Sequence, residues 1–545
     1  MGLRTLTVST LLTISIILKS SEVQSNRLTF NKYHDYVDLT KFVKAITEEY
    51  ANISSLYSIG KSVQGREIWV VKITAADNLI TVPNVKIVGN IHGNEPVGRE
   101  LIIHLIEYLL NENTKNATIN NILQNTVIHL LPSMNPDGFE MSEPQLCTNT
   151  KSHRTGHRGN AYMVDLNRDF PDIFYFKEKP LQPESRAIVQ WLKYVPFVMS
   201  LSLHGGSLVA NYPYDSSPDS LSYKLEKLNE TLQTNDIMQL HSRLLAIDPT
   251  LNSEFAESLT ADDDVFRYLA SVYANKHPKM HQGYSCDESV TFKGGITNGA
   301  SWYETSGSMQ DYNYEVFSCM EITLELSCCK YPPPSELMSY WLDNLEPLLI
   351  WIQQVHRGVK GIVMDRQTGA PIANANLMIL GREHTFNTTE NGEYWKILLP
   401  GVYKLHVDAQ GYESKTIRFV VPGTLDPNKV GKPYSLNIVM EPFRPQPSTV
   451  RNVNSYYVVS KGGGKLNESI SAVITQSQID QSTANIYEFV SESDVDDFAN
   501  VDYTVDVEPL QVLSSFSNRN LARSFMVYAT VLLQGFLMTV IIFGV

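Results

Sequence analysis

The chain has 545 residues, 43% of them hydrophobic and 19% charged, which is enough for two or three domains with sizeable cores. Its formal net charge of −14 argues against nucleic acid or an anionic membrane surface as the main partner, because both are negatively charged. The acidic balance would suit a basic substrate.

The amino terminus has the features of a secretory signal peptide. Arg4 precedes the apolar run Leu11–Leu18, and Val23–Ser25 offers small residues at a cleavage site. We therefore expect residues 1–25 to be removed and the mature chain to begin near Asn26. The alternative, a buried first helix, is disfavoured because the run shows no amphipathic period.

Five cysteines in a secreted chain predict two disulfides and one unpaired thiol. Cys328 and Cys329 are adjacent on a predicted strand, so their side chains point to opposite faces and a bond between them would be strained. Their possible partners, among which the sequence does not choose, are Cys147, Cys286 and Cys319. Asn-X-Ser/Thr sequences, which accept glycans where exposed, also suit secretion and occur at Asn52, Asn116, Asn229, Asn387 and Asn467.

Residues 26–356 alternate short apolar strands with helical stretches, the pattern of an α/β domain. The expected strands are Ile68–Ile73, Val85–Asn90, Thr126–Leu131, Phe197–Leu203 and Glu321–Leu326. The expected helices are Leu39–Tyr50, Val97–Asn111, Glu184–Val195, Asp263–Asn275 and Ser335–Val355. Residues 216–259 are polar with short helical periods, which predicts an insertion or a long loop near the site.

Residues 357–442 change character, because short strands alternate there with glycine-containing turns. This spacing predicts a small all-β sandwich. The expected strands are Val359–Val363, Ala375–Ile379, Tyr394–Leu398, Val402–Val407, Thr416–Val421 and Ser435–Met440.

The remaining residues predict a tethered protein. Residues 443–523 are rich in serine and acidic residues and cannot bury much, so we expect a disordered stalk. Residues 524–545 are apolar and follow small residues and a short spacer, which is the pattern of a lipid-anchor signal. A retained membrane helix is the alternative, since about 20 apolar residues can cross a bilayer. We favour the lipid anchor.

The stretch Val85–Glu100 predicts a buried strand, a tight turn and a helix. The strand ends near Asn90, and Pro96 opens the helix because proline suits a first helical turn. His92 and Glu95 therefore lie at the carboxyl end of a strand, where open α/β sheets bind ligands. An imidazole and a carboxylate on one turn can reach the same metal ion and make two-thirds of a catalytic zinc site.

A second histidine, His204, follows the predicted strand Phe197–Leu203 and is followed by two glycines that allow close backbone approach. Together with His92 and Glu95 it would supply the three protein ligands that a catalytic zinc ion takes. Taken alone, such a histidine is more often structural.

Further polar positions could complete such a site. Arg168 and Asn167 can hold a carboxylate, because the guanidinium offers two parallel hydrogen bonds. Asp165 could bind the other ring nitrogen of a zinc-bound histidine. Glu325 is a carboxylate amid an apolar strand and could act as general base on water. In isolation, the first three could form a surface ion pair, and Glu325 could be a solvated strand residue.

Seven motifs, in the order expected for the family, resemble those of the zinc metallocarboxypeptidases. They are H-G-N-E, N-P-D-G-F, D-L-N-R-D-F-P-D, L-H-G-G-S-L-V-A-N-Y-P-Y-D, G-I-T-N-G-A-S-W-Y, M-Q-D-Y-N-Y and E-I-T-L-E-L-S-C-C. The resemblance covers residues 39–442 and is strongest to the regulatory branch with carboxypeptidases E, N, D and M, including its membrane-anchored members. It implies a mixed central sheet flanked by helices, followed by a transthyretin-like β-sandwich.

The resemblance also implies catalytic roles. Three positions match the ligands of a single Zn²⁺ ion: His92, Glu95 and His204. Glu325 matches the glutamate that activates water, and Arg158 matches the arginine that polarises the scissile carbonyl. Asp165 matches the carboxylate that binds the other ring nitrogen of a zinc-bound histidine.

Substrate-binding roles follow from the same resemblance. Asn167 and Arg168 match the residues that hold the terminal carboxylate of the substrate, and Tyr303 matches a mobile tyrosine that folds over it. Asp215 matches the acid of the branch's specificity pocket, and Gln310 matches its polar neighbour. An acid there would pair with a terminal lysine or arginine.

The sequence therefore predicts a secreted, membrane-tethered, monomeric zinc carboxypeptidase that removes carboxy-terminal Arg or Lys from peptides or proteins. One alternative is a catalytically silent binding or adhesion module on the same fold. Another is an exopeptidase for aliphatic ends, which would require Asp215 to lie outside the pocket.

Overall fold

A computed structural model describes residues 28–144, 157–174, 180–218, 256–284, 286 and 290–443, together with the backbone of residues 526–533 and 536–543. The expected signal peptide, nearly all of the expected stalk and most of the excursion at residues 216–259 lie outside these ranges. The described residues up to 443 belong to one unit of the chain, and the two strands near the carboxyl terminus belong to another.

The first part of the chain is built on an eight-stranded sheet. Its strands are Ser54–Lys61 (β1), Glu67–Ile73 (β2), Asn84–Gly89 (β3), Val127–Leu131 (β4), Phe197–His204 (β5), Leu208–Tyr212 (β6), Ile296–Asn298 (β7) and Met320–Leu326 (β8). They lie in the order β1-β2-β4-β3-β5-β8-β6-β7. The neighbours β4, β3, β5 and β8 run parallel, whereas β2 with β4 and β6 with β8 are antiparallel. The sheet is therefore mixed, as predicted.

Helices flank this sheet. They are Tyr36–Glu49 (α1), Val97–Glu112 (α2), Ala117–Asn125 (α3), Pro136–Glu140 (α4), Pro183–Tyr194 (α5), Asp263–Lys276 (α6), Gly299–Trp302 (α7), Met309–Phe317 (α8) and Leu337–Gln353 (α9). The adjacent residues Ile87 and Val88 belong to two different apolar clusters, because successive strand residues face opposite sides of a sheet. Both faces of β3 are thus covered, which explains its continuous apolar run.

All the strands and helices predicted for this part are present, with ends that differ by at most three residues. The sequence missed the strands β1, β6 and β7 and the helices α3, α4, α7 and α8. β1 has the polar sequence S-S-L-Y-S-I-G-K and lies at an edge of the sheet, half-buried along most of its length. Such a strand has neither a continuous apolar run nor a regular alternation of apolar and polar residues, so its sequence does not predict a strand.

Residues from Val359 onward form the predicted β-sandwich. Its strands are Val359–Asp365 (β9), Asn376–Ile379 (β10), Thr385–Asn387 (β11), Glu393–Lys396 (β12), Gly401–Asp408 (β13), Lys415–Val421 (β14), Tyr434–Ser435 (β15) and Ile438–Met440 (β16). One sheet has the order β11-β10-β13-β14, and the other has β12-β9-β15 with β16 also on β9. A separate apolar cluster fills the space between them.

The apolar carboxy-terminal segment pairs with itself. Met526–Leu533 (β17) and Phe536–Phe543 (β18) form an antiparallel pair, which differs from the membrane helix considered above for residues 524–545. Among the residues that the structure describes, no helix has the length and apolar character needed to cross a membrane.

The cysteines follow the predicted pattern of pairing. Cys328 is bonded to Cys286, and Cys329 is also disulfide-bonded, so the two neighbours do not pair with each other. Among the cysteines that the structure describes, Cys319 is a free thiol, and it is buried directly before β8.

Candidate active site

The predicted site residues converge at one edge of the sheet. His92, His204 and Glu325 stand at or just beyond the carboxyl ends of β3, β5 and β8, which are neighbours in the sheet. The register places His204 directly beside Glu325 on the adjacent strand. Parallel strands bring their carboxyl ends to the same edge, so residues far apart in sequence meet there.

The turn after β3 is held rigidly, which fixes His92 and Glu95. Asn90 has a left-handed backbone with φ of 59°, and its side-chain amide donates to the carbonyl of His92 at 2.7 Å and to that of Gly93 at 3.2 Å. A Cβ atom on Gly93 would overlap the backbone of Gly138, so only glycine fits there.

Two imidazoles and a carboxylate form a buried donor set. Glu95 Oε2 lies 2.9 Å from His92 Nδ1 and 3.2 Å from His204 Nδ1. Each of the three residues offers one ligand atom, and these atoms all lie within 4.8 Å of one another. Two nitrogen donors and one carboxylate oxygen are a donor set that catalytic zinc takes in proteins. The residues therefore fit one zinc ion.

The remaining ring nitrogens of the histidines have other partners. His92 Nε2 lies 3.1 Å from Asp165 Oδ1, and His204 Nε2 lies 3.1 Å from the hydroxyl of Ser202. These contacts orient the rings so that both Nδ1 atoms face Glu95. Burial would raise the pKa of Asp165, but its hydrogen bond to His92 and the charge of Arg158 hold that pKa well below its usual value.

Two cations surround the Glu95 carboxylate. Arg158 Nη1 lies 3.2 Å from Glu95 Oε1, and Arg158 Nε lies 2.9 Å from Asp165 Oδ2. Lys330 also pairs with Glu95 and donates to the carbonyl of Gly205 at 2.9 Å. Burial would raise the pKa of Glu95, but His92 and Lys330 hold it well below its ordinary value.

Lys330 lines the site, yet the sequence reasoning did not include it. It follows Cys329 directly after the motif E-I-T-L-E-L-S-C-C, so its place beside a motif was the available signal. It lies beyond the end of β8, in a segment where strand alternation no longer predicts which way a side chain points.

Glu325 differs from the other glutamate on its face of β8. Glu321 Oε2 is paired with Lys86 Nζ at 2.9 Å and has a structural role in the core. Glu325 Oε2 is buried and has no hydrogen-bond partner in the described part of the chain. Burial, and then the nearby charge of Glu95, raise the pKa of Glu325. Such a carboxylate is suited to accept a proton.

A cleft open to solvent adjoins these groups. Arg168 Nη1 donates to the carbonyl of Asn167 at 2.6 Å, and Asn167 Oδ1 accepts from the amide of Met309 at 3.0 Å. Tyr303 also lines the cleft and is 43% exposed. The cleft is lined by His92, Arg158, Asn167, Arg168, His204, Asn211, Asp215, Gly299, Tyr303, Thr305, Thr323, Glu325 and Lys330.

Asp215 forms one wall of the cleft, and two neutral side-chain amides donate to its carboxylate. Its Oδ1 accepts from Asn211 Nδ2 at 2.9 Å and from Gln310 Nε2 at 3.3 Å. Gly299 faces this carboxylate, and a Cβ atom there would lie 1.9 Å from Asp215 Oδ1. The oxygen is therefore approachable only because residue 299 has no side chain.

A second acid, Asp311, supports the first one and was also missed. Its carboxylate accepts from the backbone amides of Asp215 and Ser216, both at 2.9 Å. Burial and the charge of Asp215 raise the pKa of Asp311 well above its ordinary value. The motif M-Q-D-Y-N-Y contains this residue next to Gln310, but a motif does not reveal which backbone its side chain holds.

Comparison with known proteins decides the family. The model for "Zinc carboxypeptidase" matches residues 39–347, and the model for "Carboxypeptidase regulatory-like domain" matches residues 358–441. The chain belongs to the zinc carboxypeptidase family. It is a metallocarboxypeptidase, which sets aside the alternative of a silent binding module.

Three curated relatives of this carboxypeptidase illustrate how far the similarity extends. Carboxypeptidase M of Mus musculus is 40% identical over 77% of this chain and 86% of its own length. Carboxypeptidase N catalytic chain of Rattus norvegicus is 40% identical over 72% of this chain and 83% of its own length. Carboxypeptidase D of Anas platyrhynchos is 39% identical over 71% of this chain but only 25% of its own length.

Proposed function

We propose that this metallocarboxypeptidase removes carboxy-terminal Arg or Lys from extracellular or secretory-pathway peptides and proteins. The observation that carries the proposal is the position of Asp215, a buried carboxylate in the same cleft as the candidate zinc ligands. Burying a carboxylate without a cation is costly, so a cationic substrate group that entered the cleft would be strongly favoured.

The opposite side of the cleft would hold the carboxy terminus of the peptide. Arg168 offers a planar pair of donors, and Asn167, whose side chain is fixed by the amide of Met309, adds a further donor. Binding the free carboxylate here would restrict cleavage to the last peptide bond. Tyr303 would cover the bound residue from the cleft mouth.

The zinc ion held by His92, Glu95 and His204 would supply Lewis acidity that activates water and polarises the scissile carbonyl. Glu325 would accept the proton of the attacking water and donate it to the leaving amine. Arg158 would place its guanidinium beside the carbonyl oxygen, where it stabilises developing negative charge. Asp165 would keep both Arg158 and His92 in position.

A series of peptides that differ only in their final residue tests this proposal. We expect kcat/KM to be highest for Arg and Lys endings and far lower for Leu and Ala endings. A protein that prefers Leu would contradict the proposed specificity and favour the exopeptidase for aliphatic ends. Zinc content measured on the same preparation, before and after chelation and zinc readdition, tests the metal assignment with one ion per chain expected.

We also propose that the protein enters the secretory pathway and is tethered by a lipid anchor to the extracellular face of the plasma membrane. We further propose that it acts as a monomer. The signal-like residues 1–25 and the exposed Asn52 and Asn387 support secretion. The small residues before the apolar tail support the lipid anchor. Release from expressing cells by a phosphatidylinositol-specific lipase is expected. Retention on the cells after treatment would contradict the lipid anchor.

A further inference from the structure

The β-sandwich contacts the catalytic part of the chain through a fully buried carboxylate, Asp262. Its oxygens accept from Tyr314 at 2.9 Å, from Arg382 at 2.9 Å and from Lys396. Burial would raise the pKa of Asp262, but the charges of Lys396 and Arg382 hold it below its ordinary value. An ionised carboxylate thus joins α8 to two basic residues of the sandwich.

Helix α8 also forms one side of the specificity pocket. At its first turn, Gln310 donates to Asp215 and accepts from the amide of Thr323 at 2.8 Å, while Asp311 holds the backbone of Asp215. Tyr314 lies one turn later, four residues after Gln310, and side chains at this spacing stand on the same face. The turn that shapes the pocket is therefore next to the turn that meets the sandwich.

A second contact from the sandwich reaches the same helix. The ring of His384 stacks on Tyr314 with centroids 4.2 Å apart and planes 19° apart. His384 Nε2 also lies 3.0 Å from the hydroxyl of Ser318, the residue that ends α8. Tyr314 in turn lies 5.9 Å from the ring of Tyr214, whose neighbour is Asp215. The sandwich thus contacts α8 at its side and at its end.

Other contacts between the same two parts of the chain do not involve the pocket. Lys360 Nζ of β9 donates to the carbonyl of Thr81 at 2.8 Å, and Trp395 donates to the same carbonyl at 3.3 Å. Thr81 lies in the loop between β2 and β3, outside the cleft lining. Lys360 therefore provides a comparison for Lys396, since both lysines join the sandwich to the catalytic part.

We propose that Lys396 and His384 are positioning residues for the specificity pocket. His384 holds Tyr314 directly and Lys396 holds it through Asp262. Together they fix the helix whose first turn places Gln310 and Asp311 around Asp215. The β-sandwich is then a determinant of selectivity for basic carboxy-terminal residues as well as a structural partner. This inference rests on the proposed Arg or Lys specificity.

The test is Lys396→Met in the full chain, assayed with two peptides that differ only in a final Arg or Leu. We expect kcat/KM for the Arg peptide to fall about fivefold, mainly through KM, with less than about a twofold change for the Leu peptide. Lys396→Arg, which keeps the positive charge, should retain the wild-type ratio of kcat/KM for the Arg peptide to kcat/KM for the Leu peptide. The matched control Lys360→Met should leave the ratio unchanged.

Tyr314→Phe is the second variant, because it removes the hydroxyl that bonds Asp262 but keeps the ring in the core. It should lower the Arg-to-Leu ratio in the same direction as Lys396→Met. If the wild type prefers Arg and neither variant changes that preference, the inference is wrong and the cluster only holds the two parts together. If the wild type does not prefer Arg, the proposed specificity fails and this inference fails with it.

Discussion

The two ends of the cleft bury carboxylates in opposite ways. At the metal end, Glu95 lies between the cations Arg158 and Lys330, and its pKa is held well below the ordinary value despite burial. At the pocket end, Asp215 accepts from the amides of Asn211 and Gln310, and burial raises its pKa. Within the described residues, Asp215 forms no ion pair.

The difference shows which buried carboxylate has its counter-charge within the protein and which one does not. The charge of Glu95 is balanced by Arg158 and Lys330, which keeps this proposed metal ligand ionised. The charge of Asp215 is met by neutral dipoles, which stabilise a buried charge less well than a cation does. A cationic side chain of the substrate would supply the missing counter-charge. The metal end would therefore carry the chemistry and the pocket end would carry the selectivity.

The largest effect is expected at Glu325, which lies beside His204 at the metal end of the cleft. Glu325→Gln keeps the shape of the side chain but removes the group proposed to accept the proton, so kcat should fall roughly 1,000-fold. The zinc content should stay at the wild-type level, because Glu325 is not among the donor atoms. Turnover and metal analysis on one preparation provide both measurements, and retained turnover would contradict the proposed role.

A smaller, substrate-dependent effect is expected at the pocket end. Asp215→Asn keeps hydrogen-bonding capacity but removes the charge, so kcat/KM for an Arg-ending peptide should fall by roughly 100-fold, as for a broken buried ion pair. The Leu-ending peptide is the internal control and should change by only a few-fold. Equal losses on both peptides would show that Asp215 acts through folding rather than recognition.

A variant of Asp165 tests whether this carboxylate supports the zinc ligands at the metal end of the cleft. Asp165→Asn should weaken zinc binding by roughly 10- to 100-fold, because it removes the carboxylate that orients His92. Competition with a chromophoric chelator measures this affinity independently of activity. Ser202→Ala is the matched control, because Ser202 contacts His204 as Asp165 contacts His92. It should weaken zinc binding less, since it removes a neutral hydrogen bond. Unchanged zinc affinity in Asp165→Asn would contradict the supporting role.

An effect on stability, as distinct from activity, is expected from buried imidazoles outside the cleft. Burial lowers the pKa of His104, His356 and His384 to about 4 and that of His129 to about 3, from an ordinary 6.5. Between pH 6.5 and 4 the unfolded chain therefore binds more protons than the folded one. The free energy of unfolding should fall with acidification in this range, by up to about 1.4 kcal/mol per pH unit for each histidine.

Denaturant titrations at pH 7, 6 and 5 measure this dependence. His104→Phe is an informative variant because His104 stacks on Phe30 with ring centroids 3.6 Å apart, and a phenyl ring would preserve that contact. In this variant, the free energy of unfolding should depend less steeply on pH, by the contribution of one histidine. An identical slope in wild type and variant would show that His104 does not titrate in this way.

The sequence predicted the fold best where local pattern and burial agree. The apolar run of β3 and the proline before α2 placed His92 and Glu95 correctly at a strand end, as did the run of β5 for His204. The motif resemblance supplied Arg158, Tyr303, Asp215 and Gln310, which the structure brings to the same cleft. Periodicity had no means of finding these four positions.

By itself, the sequence determined the strands β2, β3, β4, β5 and β8 of the central sheet, most strands of the sandwich, the pairing count of the cysteines and the donor types of the metal site. These depend on periodicity and residue chemistry within short segments. Only the tertiary structure decided that Lys330 neutralises Glu95, that Asp311 holds the Asp215 backbone and that Asp262 joins α8 to the sandwich. Each of these contacts links segments far apart in sequence, so its partner is set by how the chain packs and not by its neighbours.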